Sequence, residues 1–205
     1  MEPGDILQVV DIERESFPSM WPQTTYKREL RNHLARYLVI VERRPEDVAS
    51  PEPMTQASPG WRGALRRLLR IESPPDSAQE LVLGFVGLWL MMGEAHIVTL
   101  AVRGSRRRCG LGELLLIRAI DVATANGQEV ITLEVRRNND AAISLYEKYG
   151  FTRAGLRRRY YENAEDAVIM TTQPLESPAF QDRYGLLKAA HARRWGAAYE
   201  QPDSA

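Results

Sequence analysis

Hydrophobic positions along the chain fall into helical and strand-like runs separated by proline- and glycine-rich breaks, and their order predicts an α/β domain. Asp5 can cap a short helix carrying Ile6, Val9 and Val10, which stops at the Phe17-Pro18 and Trp21-Pro22 punctuation. A second helix is predicted from about Gln23, with Tyr26, Leu30 and Leu34 at i, i+4 and i+8, before Tyr37–Val41 turns strand-like. From Arg43 to Glu80 the pattern breaks: Pro45, Pro51, Pro53, Pro59, Pro74 and Pro75, set among serines and acids, cannot fill a core, so an inserted, largely disordered loop is expected. Leu81–Met92 resumes as a strand, and Met92, Gly93 and Glu94 form the turn of an antiparallel hairpin into a strand ending at Val102. Gly84 and Gly87 inside that strand imply a bulge or a close backbone approach.

From Leu111 onward helix formers dominate, with Arg118, Asp121 and Thr124 as a narrow polar stripe and Gly127 as the C-cap. Val130–Val135 is a buried strand with one charge in it, Glu134. Asn139 or Asp140 caps the next helix, through Ile143 and Tyr146 to Tyr149, Gly150 closes it, and Phe151 starts another strand. Val168–Thr172 is the last core strand. Ser177 and Pro178 open a C-terminal helix with Phe180, Tyr184, Leu187 and His191 at helical spacing, and Gln201–Ala205 frays.

With 205 residues, 44% of them hydrophobic, the chain can bury one sizeable core. The expected organisation is one domain over residues 1–175, interrupted at about 43–80, followed by a helical extension and tail over 176–205. Basic and acidic residues number 27 each, so no global field draws the chain to nucleic acid or an anionic membrane. Trp61–Ile71 nevertheless reads as a basic amphipathic helix, with Leu65, Leu68 and Leu69 against Arg62, Arg66, Arg67 and Arg70; a solvated linker helix and a ribosome- or RNA-contacting arm both fit it. A single cysteine, Cys109, excludes an internal disulfide and suits a reducing compartment. Without an apolar run near the roughly 20 residues that span a bilayer, a cytoplasmic protein is expected. His33, His96 and His191 have no ligand-like spacing, so no metal is expected.

Candidate chemistry begins in Ala95–Asn126, an apolar run, then a turn dense in arginine and glycine, then a helix. Gly110 and Gly112 lack the Cβ that would keep a ligand's phosphates from the amides of a helix N-terminus, and Arg106, Arg107 and Arg108 add positive charge: the arrangement suits a pyrophosphate. A solvated basic loop would look the same. The lysine of an NTP-binding loop and the three glycines of a dinucleotide fold are both missing.

Arg107-x-x-Gly110-x-Gly112 after a strand resembles the acetyl-coenzyme A signature of the GNAT acetyltransferase superfamily. Leu133–Phe151, LEVRRNNDAAISLYEKYGF, resembles the corresponding segment of its RimI-type ribosomal-protein-alanine N-acetyltransferases. So do EAHIVTLAV from Glu94, RRRYY from Arg157, DAVIM from Asp166 and SFPSMWP from Ser16. The resemblance covers residues 1–42 and 81–175, and in place of the family's commoner Asp-Pro-x-Tyr the chain has Arg103, Gly104, Ser105 and Arg106. It implies the GNAT fold, a mixed, mostly antiparallel central sheet flanked by helices, with acetyl-coenzyme A bound at a splayed strand pair.

Acetyl transfer needs a neutral amine, a polarised thioester carbonyl and a proton for the departing thiolate. Glu134 sits in an apolar strand, where desolvation raises a carboxyl pKa and makes a better base; a core glutamate paired with an arginine is the other reading. The resemblance implies the base. Tyr146 is a core aromatic on spacing alone, and the resemblance implies the general acid, which a phenol of pKa about 10 can be at neutral pH. Asn139 matches a cofactor-contacting position and is equally a helix cap. The resemblance further implies that Arg107, Arg108, Cys109, Gly110, Leu111 and Gly112 cradle the pyrophosphate, that Leu100, Ala101 and Val102 receive the pantetheine arm, and that Tyr160 and Tyr161 line the acceptor site. Cys109 as a nucleophile is disfavoured, having no evident histidine partner in a family of direct transfer.

An α-amine, titrating near 7.7–8.0, is neutral at pH 7 roughly several hundredfold more often than lysine near 10.4, which favours a protein N-terminus as acceptor. The resemblance narrows this to an N-terminal alanine of a small-subunit ribosomal protein. A GNAT acting on a small amine or a lysine side chain stays open, as does a non-catalytic coenzyme A-binding or ribosome-associated module, against which the presence of Glu134 and Tyr146 counts.

Overall fold

Six strands build one mixed sheet: β1 (Ala35–Glu42), β2 (Leu81–Met91), β3 (Glu94–Val102), β4 (Val130–Arg136), β5 (Phe151–Arg157) and β6 (Ala167–Thr172), in the order β1-β2-β3-β4-β6-β5. The β2–β3, β4–β6 and β5–β6 pairs are antiparallel and β3–β4 is parallel. The helices are α1 (Ile6–Ser16), α2 (Tyr26–Glu29), α3 (Leu111–Ala125), α4 (Asp140–Lys148) and α5 (Pro178–Trp195). This computed structural model describes residues 1–17, 25–42, 80–161 and 164–196. The expected insertion, its Trp61–Ile71 helix, the Pro18–Pro22 loop and the Gln201–Ala205 tail lie outside the described residues. The chain divides into two compact units, Met1–Ile40 with Val82–Ala205, and Val41–Leu81.

Local signals explain most element ends. The β2–β3 hairpin turns on Met92 (φ 50°) and Gly93 (φ 83°), the paired left-handed conformations that match strand twist. The β2 register shifts between Gly87 and Leu88, and a Cβ on Gly84 would lie 2.8 Å from the Ala101 carbonyl oxygen, so β2 has both the bulge and the close approach. Asn139 accepts from the Ala142 N–H at 3.2 Å and Ser177 from Phe180 N–H at 3.3 Å, capping α4 and α5. Gly127 (φ 66°) and Gly150 (φ 87°) follow the ends of α3 and α4. Leu115, Leu116, Ile120 and Ala123 of α3 are fully buried, and α3 packs on β3. From α5, Phe180, Tyr184 and His191 are buried.

Three expectations fail. Asp5 does not cap α1 through its side chain; the carboxylate accepts from the Glu2 N–H at 2.6 Å and closes a 3-10 turn over Pro3–Asp5. The second helix ends at Glu29 rather than running to Leu34, because Asn32 Oδ1 takes the Leu34 N–H at 3.1 Å, a local bond that competes with the helix. Strand β4 is not buried on both faces: Ile131, Leu133 and Val135 are buried, whereas Thr132, Glu134 and Arg136 alternate with them on a half-buried face. No helix among the described residues is long and apolar enough to cross a membrane.

Candidate active site

Parallel pairing between β3 and β4 runs from Glu94/Val130 to Ile97/Leu133 and stops, although β3 continues to Val102 and β4 to Arg136. The strands splay, and from Val98 onward the β4-facing backbone of β3 has no strand partner among the described residues. A cavity of about 420 Å³ opens at the splay, walled by Ile97–Leu100 and Leu133–Arg136, with Asn139 from the cap of α4, Tyr146 from α4 itself, and Tyr160 and Tyr161 from the β5–β6 connection. Glu13, Phe17, Glu29, Tyr37 and Trp89 also line it. The Thr99 hydroxyl is buried there without a partner among the described residues, a polar group for an extended ligand to satisfy.

Glu134 projects from the half-buried face of β4, its side chain 9% exposed. Its Oε2 lies 3.0 Å from His96 Nε2 and its Oε1 3.1 Å from an Arg157 guanidinium nitrogen. The β3–β4 register sets His96 opposite Thr132, whose Oγ1 is 2.8 Å from His96 Nδ1 and donates onward to Glu94. The hydrogen bond from His96 outweighs burial, the charges of His96 and Arg157 act in the same direction, and together they hold the Glu134 carboxyl below the usual carboxylate range. The expected upward shift is thus reversed. Desolvation is present; the ion pairs that offset it come from β3 and β5, out of sight of the VITLEV run. His96, set aside at the sequence level, is the residue that reading missed, and its place in the strand EAHIVTLAV, on the face shared with Thr132, was the available signal.

Tyr146 is buried, its ring 5.6 Å from that of Phe151. Burial, with Tyr161 adding, pushes its phenol up to about 12, so it stays protonated at neutral pH as expected. Burial also raises Tyr160, and raises Tyr161 to about 12. Arg136 sits 4.0 Å above the Tyr161 ring and Arg157 5.4 Å from that of Tyr160.

The Arg103–Gly110 turn lies beyond the cavity, between the end of β3 and the start of α3. Without the family's Asp-Pro-x-Tyr it is braced differently: both Glu15 carboxylate oxygens accept from the Gly104 N–H, at 3.0 and 3.1 Å. Arg107 donates to the Val102 carbonyl and to Ser16 Oγ, each at 3.2 Å, so its side chain stitches the turn. Arg108 (φ 65°) and Gly110 (φ 77°) are left-handed, and α3 then begins at Leu111 with its first N–H groups lacking intrahelical acceptors. The direction of a Gly110 Cβ is filled by Trp195, whose Nε1 would be 2.7 Å away, whereas a Cβ on Gly112 would meet only Val102 Cγ2 at 3.8 Å. The bare approach expected at two glycines is therefore available at Gly112 alone. The cavity thus gathers Leu100, Glu134, Asn139, Tyr146, Tyr160 and Tyr161, while Ala101, Val102 and Arg107–Gly112 form the adjoining strand end and turn. Cys109 is exposed on that turn. Among the described residues no group of three or more His, Cys, Asp or Glu could hold a metal ion.

Residues 58–151 match the model of the Acetyltransferase (GNAT) family. A Bacillus subtilis (strain 168) protein provisionally named ribosomal protein bS18-alanine N-acetyltransferase is 30% identical over 168 residues, 81% of this chain and 87% of that protein. The ribosomal protein bS18-alanine N-acetyltransferase of Salmonella typhimurium is 40% identical over 97 residues, 46% of this chain and 66% of that protein. Among solved structures, the ribosomal-protein-S18-alanine N-acetyltransferase of Escherichia coli has a TM-score of 0.61 at 24% identity, over 86% of this chain and 92% of that one. That last likeness is one of fold.

Proposed function

The chain belongs to the GNAT acetyltransferase family, and we propose that it transfers acetyl from acetyl-coenzyme A to the α-amine of a protein N-terminus, the alanine of ribosomal protein bS18. The observation that carries this reading is one cavity at the β3–β4 splay holding both the Glu134 carboxylate and the Tyr146 phenol. The β4-facing edge of β3 from Val98, the orphaned Thr99 hydroxyl and the first N–H groups of α3, which have no intrahelical acceptors, suit a long ligand with amide and phosphate groups. Leu100, Ala101 and Val102 would hold the pantetheine arm and Arg108–Gly112 the pyrophosphate. The coenzyme supplies an acyl carbon open to attack and a thiolate leaving group.

The residues of the chain handle the protons. Glu134 accepts the proton that the amine sheds as its nitrogen bonds to the acyl carbon, and Tyr146 donates its phenolic proton to the sulfur as the carbon–sulfur bond breaks. A carboxyl held low is a weak base. It serves an α-amine, which is partly neutral at pH 7, far better than a lysine some 6 pH units above the carboxylate range. Tyr160 and Tyr161 border the acceptor end of the cavity. The names of the relatives support bS18, since the Salmonella and Bacillus proteins carry that substrate in theirs.

The test is purified full-length chain with acetyl-coenzyme A against three acceptors: a peptide starting at the bS18 N-terminal alanine, the same peptide N-terminally blocked with an internal lysine added, and a polyamine. Acetylation of the free N-terminus alone is expected. Preference for the lysine peptide or the polyamine would replace the proposed acceptor.

A further inference from the structure

Resting on the reading of the Arg108–Gly112 turn as the coenzyme's phosphate site, we infer that the tip of α5 is a wall of that site, with His191 and Trp195 as positioning residues for Gly110. His191 is buried, and its Nε2 lies 3.1 Å from the Gly110 carbonyl oxygen. The same oxygen accepts the Leu114 N–H at 3.0 Å, so the imidazole donates a second bond to a carbonyl already engaged by the first turn of α3. Trp195, the last residue of α5, fills the Cβ direction of Gly110: a Cβ there would meet Nε1, Cε2 and Cδ1 of the indole at 2.7–2.9 Å. Gly110 is thus held in its left-handed conformation by the helix it caps and by a helix that begins 68 residues later, at Pro178.

The tip is not what keeps α5 docked. Tyr184 Oη and Lys188 Nζ each reach Asp121 Oδ1 of α3 at 2.6 Å. Arg183 donates to the Lys148 and Glu147 carbonyls at the end of α4, at 3.0 and 3.1 Å. With the shaft fixed by these bonds, the contacts at Gly110 are left to set how the first N–H groups of α3 are presented. Their loss weakens binding of a phosphate-bearing ligand more than it weakens the fold.

The experiment measures coenzyme A affinity by calorimetry on the full chain, with thermal stability and steady-state kinetics alongside. Trp195→Ala and His191→Ala are expected to weaken coenzyme A about tenfold, or about 1.4 kcal/mol. They raise the KM for acetyl-coenzyme A while kcat and the acceptor KM stay within about twofold. His191→Gln, whose amide nitrogen can donate in place of Nε2, restores affinity. Lys188→Ala, on the shaft, lowers the melting temperature and leaves affinity unchanged. If His191→Ala fails to fold, Trp195→Ala decides, because Trp195 is half-exposed at the helix end. Wild-type affinity in both alanine variants overturns the inference alone; a wild-type chain that binds no coenzyme A overturns the phosphate-site reading and the inference with it.

Discussion

His96 Nε2 stands 3.0 Å from Glu134 Oε2, and this contact, more than burial, sets the acidity of the carboxyl in the candidate active site. With Glu134 ionised through the neutral range, the acidic limb of kcat/KM in the wild type should follow the α-amine of the proposed acceptor, near 7.7–8.0. His96→Ala removes the strongest influence lowering the carboxyl and leaves the desolvation that raises it. A second inflection should then enter the pH–rate profile from the acid side, with kcat/KM falling more steeply with decreasing pH than in the wild type. A superimposable profile for the variant would remove Glu134 from the role of base.

The same contact has a stability signature. A carboxyl lower in the folded chain than its unfolded value of about 4.3 contributes stability above that pH and loses it as pH falls through the folded pKa. Glu134→Gln should therefore melt below the wild type at pH 7, and the gap should close below about pH 4. Paired melting curves at the two pH values decide it.

Tyr146→Phe keeps the ring beside Phe151 and deletes only the hydroxyl. We expect kcat to fall about tenfold or more with little change in melting temperature. With the wild-type phenol near 12, no descending limb should appear below about pH 10. A fully active phenylalanine variant would exclude the phenol as the acid.

Asn139 caps α4 through Ala142 and also borders the cavity. Asn139→Ala should cost about 1 kcal/mol, and Asn139→Asp should recover it. If Asn139 is a cap only, the KM for acetyl-coenzyme A follows neither change; a KM raised by both variants marks direct contact.

Gly84→Ala would press a Cβ against the Ala101 carbonyl, a main-chain atom of the neighbouring strand that cannot swing aside. Denaturant titration should register a loss of about 1–3 kcal/mol.

What the sequence disclosed was what lies close along the chain. Ser177-Pro178, Asn139, Gly150 and the Met92-Gly93 turn each act within a few residues, and each starts or ends an element where expected. Leu34 misled because the Asn32 side chain, two residues back, took its N–H; helical spacing cannot register that competition. Glu134 stands out in the sequence as the one charge in an apolar strand, but its surroundings do not, since His96 and Arg157 reach it through strand register and a separate hairpin. Trp195 against Gly110 is a further contact that no spacing rule links.

The early end of β3–β4 pairing also divides the sheet mechanically. Strands β1–β3 and strands β4–β6 meet along a seam only four residue pairs long, Glu94/Val130 to Ile97/Leu133. A ligand lying in the splay, as proposed for the coenzyme, would replace the missing rungs and staple the two halves. Hydrogen exchange should accordingly be fast at the β4-facing β3 amides past Ile97 in the unliganded chain and slow once the seam is filled, and the melting temperature should climb with ligand concentration. The protein would be most resistant to unfolding when loaded for reaction.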